Sequence, residues 1–180
     1  MLNKNKYEFS NEENFNDVYS ITKIQFKKII NNFNESRFED NFTEIFYGDQ
    51  DYHKLFLSKN DSILCGTLAF KFEEYAFTDI FFWNEINHKR NTKEFRFFCE
   101  RFFLDTQKIG INNTIMPLDE SRFKHEAFKK YCQKIFFSNT EYKISDPLIN
   151  EEYKNHYLLK VNHKNYFKKA EEAKVRILHE

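Results

Sequence analysis

The stretch from Phe81 to Phe103, FFWNEINHKRNTKEFRFFCERFF, is the feature that most limits the possible folds of this 180-residue chain. It places two aromatic blocks on either side of a short polar turn, NHKRNTKE. Because both blocks are apolar enough to be buried, the core holds the turn at both ends. The sequence therefore predicts a fixed, basic turn that is suited to holding an anion.

The segment before this turn is predicted to be a strand, and the segment after it a helix. Asn91 and Glu94 have the N-x-x-E spacing of a capping box, which predicts a helix that begins near Thr92 and continues to about Lys108. Gly110 is expected to end this helix, because glycine readily adopts the left-handed conformation found there. A strand thus runs directly into a helix start.

The remaining elements are predicted from apolar periodicity. Apolar residues at three- and four-residue steps predict a helix at 14–33 and a weaker one at 37–46. Three consecutive antiparallel strands follow, with a candidate bulge at Gly66, and after the central helix come a strand, a helix and two strands. These elements span residues 53–58, 63–72, 75–86, 111–116, 122–137, 141–145 and 157–161. This order predicts an α+β fold.

Charge and composition exclude several classes of protein. Lysine and arginine (28) balance aspartate and glutamate (28), so no long-range field attracts nucleic acid and any charge effect must be local. No run of about 18 apolar residues could cross a membrane, and the first residues lack the apolar core of a signal peptide. We therefore expect a cytoplasmic protein with no nucleic-acid or membrane partner.

The cysteines predict neither a disulfide nor a metal site. Cys65, Cys99 and Cys132 are odd in number, widely spaced and each set among apolar neighbours. This pattern is typical of reduced thiols in a core, and the six histidines form no ligand pair. Motifs for nucleotide hydrolases, dehydrogenases and serine hydrolases are also missing from the sequence.

The basic turn has the properties of a phosphate site. A helix start presents unpaired backbone N–H groups and the positive end of the helix dipole. The segment from His88 to Arg101 adds five lysines or arginines against two glutamates. A helix start surrounded by solvated charges is the alternative interpretation.

A strand that enters such a helix, followed by strand, helix, strand and strand, resembles the GNAT superfamily of acyl-CoA-dependent N-acyltransferases over residues 52–161. In that family the turn carries Q/R-x-x-G-x-G/A, whose amides hold the pyrophosphate of coenzyme A. Arg90 matches the first position here, whereas Lys93 and Phe95 replace the two glycines. Because glycine allows close approach of phosphate, the Arg90 and Lys93 side chains would have to assist binding.

The helix at 122–137 is similar to the family helix N-x-x-A-x-x-x-Y-x-x-x-G-F. Ala127, Tyr131 and Phe136 stand at the family spacings, while Lys124 and Ile135 replace the asparagine and the glycine. In the family this tyrosine lies near the cofactor sulfur and protonates the leaving thiolate. The resemblance therefore implies that Tyr131 is a catalytic acid, and a half-buried structural aromatic is the alternative.

The resemblance implies transfer of an acetyl or other acyl group from acyl-CoA to an amine of unknown identity. Glu85, at the end of the central strand, is the carboxylate best placed to accept the amine proton, and amides of that strand would polarise the carbonyl. The implied cofactor-binding residues are Trp83, Asn84, Ile86, Arg90, Asn91, Thr92, Lys93, Glu94, Phe95 and Lys124.

Two alternatives to this enzyme remain. One is a non-catalytic protein of the same fold that binds a ligand or partner, and the other is an acyltransferase that uses acyl carrier protein. The resemblance implies a GNAT-like domain at 1–162, with a mostly antiparallel sheet of about six to seven strands flanked by helices. Residues 163–180 are predicted to form a C-terminal helix that packs on the domain, forms a homodimer or frays.

Overall fold

The computed structural model describes residues 6–29, 32–48, 52–89, 91–119, 130, 136 and 156–177. The helices within these ranges are α1 (Phe15–Ile29), α2 (Glu35–Tyr47), α3 (Thr92–Lys108) and α4 (His163–Ile177). The strands are β1 (Tyr7–Ser10), β2 (Tyr52–Lys59), β3 (Ser62–Phe72), β4 (Tyr75–Trp83), β5 (Asn113–Asp119) and β6 (His156–Asn162). None of the helices in the described part of the chain combines the length and apolar character needed to cross a bilayer.

The six strands form one sheet in the order of the sequence, β1-β2-β3-β4-β5-β6. The β1–β2, β2–β3 and β5–β6 pairs are antiparallel. The β4–β5 pair is parallel, with Tyr75–Phe77 opposite Asn113–Ile115 at the start of both strands. A mostly antiparallel sheet with one parallel pair and flanking helices confirms the predicted α+β class.

The central helix was predicted most accurately. Thr92 and Lys108 are the observed ends of α3, and Gly110 adopts a φ of 82° just beyond it, as expected of a glycine that ends a helix. By contrast, α1 ends at Ile29 and not near residue 33, and Asn32 has a left-handed φ of 59°. Strand β1 was not predicted. The predicted helix at 122–137 lies outside the described residues except for residues 130 and 136, and the predicted strand at 141–145 lies outside them entirely.

The chain divides into two compact units, and the first comprises Met1–Lys71 and Asp79–Phe102. Its main apolar core lies under α1 and α2 and consists of Val18, Phe42, Phe46, Phe56, Leu68, Ile80 and Phe82. On the opposite face of the sheet, α3 packs its aromatic residues, with ring centroids 5.9 Å apart for Phe98 and Phe81 and 5.6 Å apart for Phe102 and His53. The sheet in this unit is therefore covered on both faces.

Gly66 makes room for aromatic side chains in this core. A Cβ atom at Gly66 would lie 2.5 Å from a ring carbon of Phe56 and 2.7 Å from one of Phe82. The predicted bulge at Gly66 is wrong, because Gly66 pairs regularly with Phe56 of β2. The irregularity lies further along the pair, where Leu57 opposes Cys65 but Ser58 opposes Ile63, so that Leu64 has no partner in β2. The extra residue is thus two positions before the glycine.

The cysteine prediction is confirmed for two of the three residues. Cys65 and Cys99 are free and buried. Burial raises the pKa of both thiols well above the ordinary value, so neither is a thiolate at neutral pH. Cys132 lies outside the described residues.

The second unit comprises Phe72–Thr78 and Phe103–Glu180. Helix α4 packs within it, because Tyr166 is 1% exposed and its ring lies 5.2 Å from that of Phe103. His163 stacks on the same ring at 4.6 Å, and its Nε2 lies 2.8 Å from the Thr114 hydroxyl. Burial lowers the pKa of His163 to about 4. The predicted packing of the C-terminal helix is therefore observed for its described residues, and a homodimer stays a prediction.

Candidate functional site

The turn after β4 is attached to the start of β3 by Asn84. Its backbone N–H donates to Leu64 O at 2.8 Å, and its side-chain Nδ2 donates to Ile63 O at 2.8 Å. The Asn84 carbonyl in turn accepts from the His88 N–H at 3.1 Å. Asn84 is 2% exposed, and its Oδ1 is buried without a hydrogen-bond partner among the described residues. This asparagine fixes the direction in which the chain leaves β4.

Gln25 of α1 bonds the edge of β4 that is turned away from β3. Successive residues of a strand direct their peptide groups to opposite edges of the strand. The Asn84 N–H points to Leu64 of β3. The Trp83 N–H and the Phe81 C=O therefore point to the edge of β4 that faces away from β3. Gln25 Nε2 donates to Phe81 O at 3.0 Å, and Trp83 N–H donates to Gln25 Oε1 at 2.8 Å. One side-chain amide thus substitutes for a neighbouring strand.

Gln25 was not identified from the sequence, although a signal was present. It is 8% exposed and lies four residues after Ile21 and seven after Val18, on the face of α1 that packs on the sheet. A polar side chain on the apolar face of an amphipathic helix must find a buried hydrogen-bond partner. The sequence predicted the helix but could not identify that partner.

Glu85, the predicted proton acceptor, is exposed at the start of the turn. Its Oε2 lies 3.6 Å from Lys28 Nζ, at the C-terminal end of α1. Ile86, the next predicted site residue, is 59% exposed. The structure therefore places both residues on the surface beside the end of β4, with Glu85 next to a cation.

The start of α3 is capped by Asn91, as predicted. Asn91 Oδ1 accepts from the Lys93 backbone N–H at 2.9 Å, and Asn91 O accepts from the Phe95 N–H at 2.9 Å. The Lys93 amide is one of those expected to hold a diphosphate, and the chain's own asparagine already bonds it. Thr92 begins the helix and is half-buried, while the Lys93 side chain is exposed.

Glu94 extends from the start of α3 to two strands. Its Oε1 accepts from Tyr7 Oη of β1 at 2.6 Å and from Lys59 Nζ of β2 at 2.8 Å, and the residue is 7% exposed. Burial raises the pKa of Glu94, but the hydrogen bonds from Lys59 and Tyr7 outweigh it and hold the pKa below the ordinary value. A stable carboxylate therefore lies at the positive end of the α3 dipole.

Phe95 fills the space that the second family glycine would leave open. It is 9% exposed, and its ring centroid lies 5.3 Å from that of Phe81 and 6.4 Å from that of Trp83. Trp83 is 3% exposed, and its Nε1 has no hydrogen-bond partner in the described part of the chain. This corner of the protein is packed with aromatic side chains and retains one unpaired N–H donor.

The structure brings most of the predicted site residues together around the end of β4 and the start of α3. Three of them, Arg90, Lys124 and Tyr131, lie outside the described residues, so their predicted roles remain predictions. His88, within the turn, lies 3.3 Å from the Ser62 hydroxyl through its Nε2. Burial and, to a lesser extent, the Lys59 charge lower the pKa of His88, which favours the neutral imidazole.

A cavity of about 790 Å³ opens next to the end of β4 in the first unit. Its walls come from β1, the first half of α1, the β2–β3 turn and the turn after β4. Asn84, Ile86 and Asn87 form the wall nearest to the strand end. A cavity of this volume is large enough for a small-molecule ligand.

The known proteins that this chain resembles are related to it by fold. No protein-family model matches the chain, and no curated protein matches it in sequence. An acetyltransferase of the GNAT family from Staphylococcus aureus matches with a TM-score of 0.57 and 12% identity, over 88% of this chain and 99% of that one. PaiA N-acetyltransferase from Thermoplasma acidophilum, in complex with coenzyme A, matches with a TM-score of 0.59 and 8% identity, over 87% and 99%. The ribosomal-protein-S18-alanine N-acetyltransferase from Escherichia coli matches with a TM-score of 0.58 and 11% identity, over 87% and 94%.

These matches confirm the resemblance at the level of the fold, and the chain has the GNAT fold. They extend over nearly the whole of each solved structure. Because a fold alone does not select a substrate, the activity of this chain must be argued from its own residues.

Proposed function

We propose that this protein is an acyltransferase that moves an acetyl or other acyl group from acyl-CoA to an amine. The observation that carries the proposal is the GNAT fold of the chain, which resembles that of a solved N-acetyltransferase in complex with coenzyme A. Within this fold, β4 leads through a basic turn into α3. The edge of β4 also supports the proposal. There the side-chain amide of Gln25 bonds the Phe81 C=O and the Trp83 N–H. The pantetheine arm of coenzyme A carries amides of the same kind, which would replace the Gln25 amide at this strand edge.

In this proposal the phosphates of acyl-CoA lie at the start of α3. The Thr92 region of the helix start and the exposed Lys93 side chain would attract them, with Arg90 as a further cation. Asn91 bonds the Lys93 amide, and Glu94 brings a negative charge to the same helix end. The residues present therefore fit a diphosphate only in part, which predicts weaker binding than a glycine-rich turn would give.

The reaction is a direct transfer to a neutral amine. The amine nitrogen forms a bond to the thioester carbon, and the carbon–sulfur bond breaks. Glu85 accepts a proton from the attacking amine, directly or through water, while a backbone N–H of β4 polarises the carbonyl oxygen. Tyr131 donates a proton to the departing thiolate. The Lys28 ammonium, 3.6 Å from Glu85, must move or be displaced for Glu85 to act as a base.

A second candidate is a non-catalytic protein of the same fold, and the capped start of α3 favours it. Phe95 occupies the place of a glycine and is buried against β4, and the Lys93 amide is bonded by Asn91. A chain that had lost the acyl-CoA site could keep the GNAT fold for a different ligand. This alternative predicts no response to coenzyme A.

An acyl-transfer assay distinguishes the two candidates. The purified chain is incubated with acetyl-CoA and a panel of primary amines, and the free thiol of coenzyme A is followed with a thiol reagent. If the amine-dependent release of coenzyme A exceeds the molar amount of protein, the result supports an enzymatic function. Binding of acetyl-CoA without any release would contradict catalysis, and absence of both would favour the second candidate.

A further inference from the structure

We infer that the open edge of β1 is a self-association surface, where two copies of this chain pair their first strands in antiparallel orientation. The surface is β1, and not the C-terminal helix for which the sequence predicted a homodimer. This inference goes beyond the proposed function and does not depend on it. It is carried by the backbone of β1, by two exposed aromatic residues beside that strand and by its two opposite charges.

The backbone of β1 is unpaired on one side. Among the described strands, β1 has a neighbour only on the side of β2. The Asn60 N–H donates to Lys6 O at 2.9 Å, and the Lys6 N–H donates to Asn60 Oδ1 at 3.0 Å. Because peptide groups alternate along an antiparallel strand, those of Glu8 also point to β2, whereas those of Tyr7 and Phe9 point to the open edge. Two N–H and two C=O groups are thus directed towards a further strand.

Strand β1 is held in place before any second copy binds. The Tyr7 hydroxyl donates to Glu94 at 2.6 Å, and the Phe9 ring lies 5.0 Å from that of Phe97. The pairing with β2 is regular along the whole strand, and β1 contains no proline. Proline and bulges are common ways of blocking a sheet edge, and β1 uses neither. A strand that is already fixed loses little conformational freedom when it pairs.

Two exposed aromatic residues lie beside this edge. Tyr7 is 38% exposed and Phe97 of α3 is 45% exposed, and their ring centroids lie 6.0 Å apart. Residues opposite each other in an antiparallel pair are on the same face of the sheet, so the Tyr7 rings of two copies would meet on the side of α3. Pairing would remove part of this apolar surface from water.

The charges on the other face of β1 determine the register. The Lys6 and Glu8 side chains are 68% and 63% exposed, and Lys6 Nζ lies 3.4 Å from Glu8 Oε2. If the two strands align about Tyr7, Lys6 of each copy lies opposite Glu8 of the other, which gives two ion pairs. If they align about Glu8, two like charges lie opposite each other, which is unfavourable. Charge complementarity therefore selects the register about Tyr7.

This pattern favours a second copy of the chain over an unrelated strand. A twofold axis through an antiparallel pair brings the same surface of both copies together, so the surface must be complementary to itself. Lys6 and Glu8, two residues apart with opposite charges, meet that requirement. Because β1 has only four residues, the interface is small and the association should be weak.

The test is sedimentation equilibrium of the full chain, at concentrations from about 1 μM to 1 mM. Lys6→Glu leaves two negative charges on β1 and Glu8→Lys leaves two positive ones, so each variant should repel a copy of itself. An equimolar mixture of the two variants restores opposite charges between copies, but not the Lys6–Glu8 ion pair within either chain. Recovery in the mixture therefore cannot come from an effect within one chain.

The control mixture combines Lys6→Glu with Asp40→Lys, a substitution at an exposed position of α2. It has the same net charge as the first mixture but adds no opposite charge at β1. Glu8→Gln tests the register, because it removes an ion pair if the strands align about Tyr7 and a repulsion if they align about Glu8. Melting temperatures of all variants are compared so that a loss of folding is recognised.

We expect the parent to dimerise with a Kd on the order of 100 μM, as suits a small interface. Lys6→Glu and Glu8→Lys should each weaken dimerisation by about tenfold or more, and their mixture should recover it, whereas the control mixture should not. Glu8→Gln should also weaken it. A monomer at all concentrations, dimers unaffected by both charge reversals, no recovery in the mixture, or stronger association of Glu8→Gln would each overturn the inference.

Discussion

The Glu94 carboxylate of α3 accepts a hydrogen bond of 2.6 Å from the Tyr7 hydroxyl of β1, a residue 87 positions earlier in the chain. This bond joins the start of the central helix to the first strand, and Lys59 adds a second bond from β2 at 2.8 Å. The helix start is thus neutralised from within the protein. We therefore expect Glu94 to stabilise the fold and to weaken anion binding at this helix start.

Replacement of Glu94 by glutamine is expected to destabilise the protein by about 1–3 kcal/mol at neutral pH, because it leaves the Lys59 ammonium without its carboxylate. The pKa of Glu94 is lowered by folding, so its contribution is present above the unfolded-state pKa and is lost as the pH falls through the folded-state value. Urea unfolding at several pH values measures the free energy of unfolding of the variant and of the parent. The difference between variant and parent should shrink towards zero in acid.

The control for that experiment is Glu35→Gln. Glu35 also pairs with two lysines, Lys23 and Lys27, whose hydrogen bonds lower its pKa to about 2, but its side chain is 49% exposed. Solvent screens such a pair, so the loss at neutral pH should be smaller and should fall further at high salt. If Glu35→Gln lowered the free energy of unfolding as much as Glu94→Gln, the burial of Glu94 would not explain its larger predicted contribution.

Replacement of Gly66 by alanine is expected to destabilise the fold by about 1–3 kcal/mol, because the added methyl group would overlap the rings of Phe56 and Phe82. Thermal unfolding measures the loss. Phe82→Leu should relieve part of it, so the double variant should lose less than the sum of the two single ones. Simple additivity would show that the glycine acts through its backbone and not through packing.

Replacement of Gln25 by alanine is expected to have two opposite effects. The ligand-free protein should lose about 1–3 kcal/mol, because Trp83 N–H and Phe81 C=O lose their partner. Acetyl-CoA should then stabilise the variant more than it stabilises the parent, since its amides no longer compete with the Gln25 side chain. Equal stabilisation of both proteins would show that the ligand does not use this edge of β4.

Replacement of Tyr131 by phenylalanine is expected to lower turnover while acetyl-CoA affinity stays the same, because only the proton donor is removed. General acid catalysis is typically worth about 10²–10⁴-fold, which sets the scale of the loss. Tyr47→Phe is the matched control, since Tyr47 is 65% exposed on α2. Unchanged turnover in the Tyr131 variant would remove this residue from the mechanism.

The sequence predicted those parts of the fold that depend on local signals. The Asn91 cap and the Gly110 stop fixed both ends of α3, because each acts within one helical turn. Strand β1 has only four residues and is joined to the fold by pairing with β2, a contact that no local pattern records. Short edge strands of this kind depend on the partner strand and not on their own propensity.

The candidate site was predicted less completely for the same reason. The approach of Gln25 to β4 spans 56 residues, and the Tyr7–Glu94 bond joins residues even further apart, so neither could be read from spacing. The sequence identified Glu94 as part of a capping box, whereas its carboxylate bonds Tyr7 and Lys59. The cavity is likewise assembled from four separate segments.

The central claim, that this protein binds acyl-CoA at the start of α3, is tested most directly by the melting temperature of the full chain with and without acetyl-CoA. Ligand at 100 times its Kd stabilises the folded state by about 2.7 kcal/mol, or roughly 5–10 °C for a chain of this size. The account predicts a shift that rises with concentration and is reduced in Lys93→Ala. No shift at millimolar acetyl-CoA or coenzyme A would contradict it.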